Sequence, residues 1–287
     1  MGHYLPKQKA LRFRLTLLFF TCLTQFNCVG QSDLSLLATA SKALKKADTT
    51  QAVAALEQFS NQNPTSGLLL ILNQRLAEIY INRKQYDSAL TKLQYAFRFK
   101  PKDSFTWSNI DSFDNLVTRY QFASAKADVC VLLSEVYRLQ GNRTSSLRYL
   151  QLADSAFLPT YGGCANGMIM YRTFLSLKYA DHYLQFGDTV KAVCRLFDYF
   201  MSGESFADKA AYKLRDILRQ KYSRQQIAQE IERGISTARI IEGKHEEPDK
   251  IFSVTLFGHE IRRRAYTSLA EHQARLRKAP NLQILQT

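Results

Sequence analysis

Apolar residues recur three and four apart through most of this chain, and the stretch from Leu76 to Pro101 shows the pattern most clearly. Leu76, Tyr80, Leu93 and Ala96 form an apolar seam at helical spacing, interrupted by the polar run Lys84-Gln85-Tyr86-Asp87-Ser88. The pattern predicts a helix, a tight turn and a second helix. Ala77 and Ala89 fall where the two helices cross, and short side chains there let the axes approach to roughly 8–10 Å. Pro101 lacks the amide donor that would continue the second helix.

The same ordered set appears three more times. Upstream it reads Ala40, Ala43, Ala52, Leu56, Phe59 and Pro64, with Lys45-Lys46-Ala47-Asp48 at the turn. Downstream it reads Leu133, Ser134, Tyr137, Gly141, Ser146, Leu150 and Ala153, then Ala180, Tyr183, Gly187, Ala192, Leu196 and Tyr199. Gly141-Asn142 and Gly187-Asp188 suit a turn because glycine takes a positive φ at no steric cost. Four hairpins are predicted, over about residues 33–66, 70–103, 127–159 and 173–203. Their spacing is uneven: 37 residues from Ala43 to Tyr80, 57 from Tyr80 to Tyr137 and 46 from Tyr137 to Tyr183. The surplus falls at Lys102–Lys126 and Phe157–Tyr171, each between one hairpin and the next.

This set resembles the tetratricopeptide (TPR) repeat, whose undecorated period is about 34 residues. The resemblance covers about residues 33 to 200. It is strongest at Leu76–Pro101 and weakest in the first unit, which has Ala43 where an aromatic is usual. It implies an all-α fold, an α-solenoid of TPR-like helical hairpins. A plain antiparallel helical bundle is the alternative, since alanine is common at helix crossings in any all-α protein.

In the TPR register the first helix of each hairpin lines the concave face. The residue just after the crossing position points into it, which here gives Ser41, Glu78, Glu135 and Asp181. Gln74, Asn82, Asp128, Arg138 and Gln185 lie nearby as polar groups. The resemblance therefore implies a partner-binding groove of acidic character, suited to an extended segment bearing lysine or arginine. Ordinary solvated helix charges are the alternative.

Beyond about residue 203 the repeat fades. Ala207–Lys221 reads as an amphipathic helix, and Ser223-Arg224-Gln225-Gln226 as a capping box opening another helix to about Arg233. Ala238–Glu242 and Ile251–Phe257 are β-rich runs around the polar stretch from Gly243 to Asp249, so residues 204–261 are expected to hold two helices and a β-hairpin. This small C-terminal helical plus β-hairpin cap would cover the open end of the solenoid, or else offer an edge strand to a partner. Residues 262–287 read as a basic helix and loose tail, from Arg262-Arg263-Arg264 through Arg275, Leu276 and Lys278. Its positive face suits either solvent or peripheral contact with anionic lipid headgroups.

The amino terminus adds a compartment. Lys7, Lys9, Arg12 and Arg14 precede the apolar run Leu15–Leu23, followed by a polar stretch ending in Cys28-Val29-Gly30-Gln31. Residues 1–30 have the layout of a secretory signal peptide, with Gln31 the first mature residue. The run is shorter than the about 20 residues a membrane span needs. Lipidation, the lesser alternative, would need small apolar residues directly before a cysteine, which neither Cys22 nor Cys28 has. The formal net charge of +14 falls to +10 once those four cations are removed. Such a surplus favours solubility and anionic surfaces. Nucleic acid does not fit, since no nucleic-acid motif is present and the chain is read as exported. Of the mature cysteines, Cys130 and Cys194 fall within expected helices, while Cys164 sits in the loop-like run Tyr161–Gly167.

No catalytic signature stands out. His3, His182, His245, His259 and His272 never fall at metal-ligand spacing, and neither a phosphate-cradling glycine loop nor a nucleophile elbow is present. No cofactor or metal is expected. The sequence thus points to an exported, non-enzymatic TPR scaffold that mediates protein–protein interaction in the bacterial cell envelope. The alternatives are a small-ligand or glycan-binding protein using Trp107, Tyr161 and the glycine-rich loop, and an enzyme without a recognisable motif.

Overall fold

A computed structural model describes residues 31–99, 125–157, 165–198, 200, 207–242 and 250–287. The expected signal peptide, Trp107, Tyr161, Gly162, Gly163, Cys164, most of the Lys102–Lys126 insertion and the 243–249 turn lie outside the described residues. Among the described residues eight helices come first, in adjacent pairs: α1 (Gln31–Lys45) with α2 (Thr49–Gln62), α3 (Leu69–Asn82) with α4 (Tyr86–Arg98), α5 (Ala125–Leu139) with α6 (Arg143–Phe157), and α7 (Ala165–Gln185) with α8 (Thr189–Asp198).

Every hairpin turns in the same way. The amide of Asp48 donates to the Ala43 carbonyl at 2.9 Å, and those of Gln85, Asn142 and Asp188 donate to Tyr80, Tyr137 and Tyr183, each at 2.8 Å. The residue just before each donor lies in the left-handed region: Ala47 at φ 58°, Lys84 at 59°, Gly141 and Gly187 at 77°. These are helix C-caps closed by the paired bonds of the Schellman motif, which satisfy carbonyls the ended helix would leave orphaned. In three of the four turns the next side chain then starts the second helix. Asp48 accepts from the Gln51 amide at 3.0 Å, Asn142 from Ser145 at 3.0 Å and Asp188 from Lys191 at 3.2 Å.

The crossings are packed by small residues. Ala77 and Ala89 are fully buried and share a core with Leu93, Val129, Leu133 and Val136, so the second hairpin is sealed by the first helix of the third. The third crossing is polar instead. Buried Ser134 and Ser146 lie 3.2 Å apart, and Ser146 is 2.9 Å from Nδ1 of the buried His182. Successive first helices touch along their backbones, α3 on α5, α5 on α7 and α7 on α9 (Ala207–Leu218), while second helices meet through long side chains, Lys92 on Glu57 and Phe97 on Tyr149. The first helices therefore form the inner side of the array.

Two boundaries differ from the sequence reading. Helix α7 begins at Ala165, so Ala165, Asn166 and Gly167 are helical rather than part of a loop. The apolar run Met168–Tyr171 extends the helix backward, with Tyr171 fully buried beneath the third hairpin. The carboxy-terminal sheet has three antiparallel strands in the order β1 (Arg239–Glu242), β2 (Lys250–Leu256), β3 (His259–Ala265), not two. Arg262, Arg263 and Arg264 thus belong to an edge strand rather than to a basic helix.

Strand β3 is reached through Phe257-Gly258, both at positive φ (51° and 81°), as a two-residue type I′ hairpin requires. Phenylalanine seldom adopts that conformation. Here the Phe257 amide donates to Glu230 at 2.8 Å, and its ring packs 5.4 Å from Tyr222.

Helix α10 (Arg224–Ser236) opens with the expected capping box, Ser223 and Gln226 each accepting from the other's amide. Phe252, Val254, Leu256 and Ile261 face inward; all but Phe252 share one core with Ala180, Leu196, Leu214, Ile227 and Ile231. The expected loose tail is also ordered into that core. After α11 (Leu269–Arg277), α12 (Pro280–Gln286) buries Leu282 and Leu285 against α9 and α10, and the Asn281 amide donates to the Phe200 carbonyl.

Candidate functional site

The residues projected onto the inner side come from α1, α3, α5 and α7, and the structure joins those of α5 and α7 directly. Arg75, one turn before Glu78 on α3, closes on it at 2.7 Å. Glu135 on α5 is held by Arg138 at 2.6 Å and by Lys178 of α7 at 3.6 Å. Arg138 and Gln185 exchange hydrogen bonds across the same junction, Gln185 donating to the Arg138 carbonyl at 2.6 Å. Asp181 pairs with Lys213 of α9.

The strip is therefore compensated rather than acidic. Each acid that the register places after a crossing has a cation from its own helix or the next, which follows from a basic chain stacking like faces together. Such half-exposed pairs are individually worth about 0–1 kcal/mol. Their local effects differ. Burial pushes the Glu78 carboxyl up against the pull of Arg75, whereas at Glu135 burial is outweighed by Arg138 and Lys178, which hold the carboxyl low.

Asp128 departs from the pattern. It is only 9% exposed, its Oδ2 has no hydrogen-bond partner, and burial followed by the charge of Glu78 pushes it up to about 7. Gln74 and Ser41 are buried as well, while Asn82 is exposed at the end of α3. Three of the projected polar residues thus belong to the interior rather than to a solvent-facing groove. Arg75, Lys178 and Lys213 were not singled out from the sequence. The signal for Arg75 is its i, i+3 spacing to Glu78. Lys213 has none, because its partner is 32 residues away.

The described cysteines are unpaired thiols. Cys130 is buried, which pushes its thiol up to about 11, and Cys194 is half-buried, 3.3 Å from Nδ1 of His259. Among the described residues no cluster of three or more histidine, cysteine, aspartate or glutamate side chains could hold a metal ion.

Residues 22–106 match the family model of a tetratricopeptide repeat-like domain. Over that stretch the chain is similar to a TPR-like domain. The match spans the first two hairpins, and the left-handed turns at Gly141 and Gly187 repeat the TPR-like geometry in two further hairpins downstream of it. No curated protein and no solved structure matches the chain significantly. TPR-like domains generally mediate protein–protein interaction, and the strip along α3, α5 and α7 is where this one presents a run of paired charges. Among the described residues no helix is long and apolar enough to cross a membrane. The basic carboxy-terminal helix is α11, whose Arg277 is paired with Glu232 at 2.6 Å.

Proposed function

We propose that the protein is an exported, non-enzymatic scaffold of the bacterial cell envelope that holds a protein segment along the first helices of its repeats. The observation that carries this reading is the stacking of α3, α5 and α7 into one surface, on which ion pairs tie α5 to α7 and α7 to α9. A partner with lysine or arginine side chains competes there with Arg75, Lys178 and Lys213 for carboxylates already in place, so recognition works by exchange of ion pairs. Export rests on the charged, apolar and polar order of residues 1–30.

Affinity capture from envelope extracts compares the natural chain with a Glu78→Lys, Glu135→Lys, Asp181→Lys variant of unchanged helical content. Loss of a partner retained by the natural chain is expected, and equal recovery of every partner would sink the inner-strip reading. Fractionation with amino-terminal sequencing tests export: a mature chain starting near Gln31 outside the cytoplasm is expected, and an intact Met1 in the cytoplasm refutes it.

A further inference from the structure

A second recess lies away from the inner strip, where α6, α7 and α8 meet. It has a volume of about 450 Å³, within the range of small-ligand sites. Its walls carry charge of both signs: Asp154 from α6, Arg172 from α7 and Arg195 from α8. Tyr179, Ser155 and Ser176 supply further polar atoms. The Arg195 guanidinium lies over the Tyr179 ring at 4.5 Å and also touches Asp198 at 3.3 Å, which fixes its position while leaving other N–H groups available.

Asp154 makes no ion pair among the described residues, although it shares this recess with two guanidinium groups. Both signs act on one phenol. Burial first, and Asp154 next, push Tyr179 up to about 12, while Arg195 pulls it the other way. Opposite charges thus face one recess without closing on each other. A simple anion would meet Asp154 there, and a simple cation would meet Arg195. A ligand carrying both charges a few bonds apart satisfies each wall, carboxylate toward guanidinium and ammonium toward Asp154.

We propose that the recess between α6, α7 and α8 binds a small zwitterion of the α-amino-acid class. It lies on a different set of helix faces from the partner strip and does not depend on that reading.

Calorimetric titration of the full chain with a panel of free L-amino acids tests this, followed by the N-acetylated and amidated forms of the best binder. Saturable binding of the free form is expected, with each blocked form weaker by about tenfold, the worth of one charge-assisted hydrogen bond. Asp154→Asn should weaken the free and amidated forms but not the N-acetylated one. Arg195→Gln should weaken the free and N-acetylated forms but not the amidated one. Thermal melts confirm that both variants remain folded. Equal binding of free and N-acetylated forms would make this a plain anion site and overturn the proposal. So would the absence of saturable binding at millimolar concentrations, or a loss of all three forms alike in either variant.

Discussion

Gly234 sits in the last turn of α10 with Ile235 and Ser236 still to follow in the helix, a place where alanine is intrinsically better by up to about 1 kcal/mol. The structure reverses that preference. A Cβ built there would lie 2.4 Å from the Cδ2 of Leu256 and 2.5 Å from the carbonyl oxygen of Thr255. The leucine methyl could swing aside only within a packed core, since Leu256 is 1% exposed. The carbonyl cannot swing at all, because Thr255 lies in the central strand, paired with Glu260 of β3. Relief requires α10 and β2 to separate, and overpacking of this kind costs about 1–3 kcal/mol or more.

Gly234→Ala is therefore expected to lose about 2 kcal/mol net, a fall in Tm of roughly 4–8 °C for a chain of this size. Hydrogen exchange should show the loss concentrated in α10, β1 and β2, with α1–α4 unchanged. A melting temperature equal to or above that of the natural chain would refute the close approach. So would loosening spread evenly over all four hairpins.

The turn glycines make a cleaner measurement, because a Cβ at Gly141 or Gly187 meets nothing within 4 Å and only the backbone is strained. Gly141→Ala and Gly187→Ala should each cost about 1 kcal/mol in denaturant melts, while Ala47→Gly and Lys84→Gly should cost nothing or stabilise slightly; equal effects at all four positions would contradict the shared turn. Asp128 supplies a pH test. A buried carboxyl raised from its ordinary 3.8 to about 7 holds its proton more tightly in the folded state, so stability falls as pH rises from about 4 to 7, and the penalty is complete above that. Asp128→Asn should therefore stabilise the protein most at pH 8, by up to about 4 kcal/mol, and hardly at pH 4; an effect independent of pH would show that the carboxyl is not perturbed.

The repeated hairpins were legible because their information is local. Alanine at the crossings, a polar turn and seams at helical spacing all act within 30 residues of one another, and the Ser223–Gln226 capping box is more local still. Strand β3 was not legible. Its signal is a Phe257-Gly258 turn, and phenylalanine at positive φ is held by Glu230 and Tyr222, residues far away in the chain. The run Glu260–Arg264 then reads as a helix face, because only Ile261 marks the buried side of the strand. The candidate strip divides the same way. Its carboxylates follow from the register, but the cations that compensate them come partly from neighbouring hairpins, and whether Asp128 faces water depends on how α5 settles against α3.

Leu282 and Leu285 close the core formed by α9 and α10, yet they follow in the chain everything they cover. Synthesis and any passage through a translocation channel deliver residues in order, amino terminus first. The early hairpins can therefore lock as they emerge, each sealed by the first helix of the next. The core beneath α9 and α10 stays uncovered until the chain has been delivered through Leu285. That end is the part of the molecule that waits longest with apolar surface open to water.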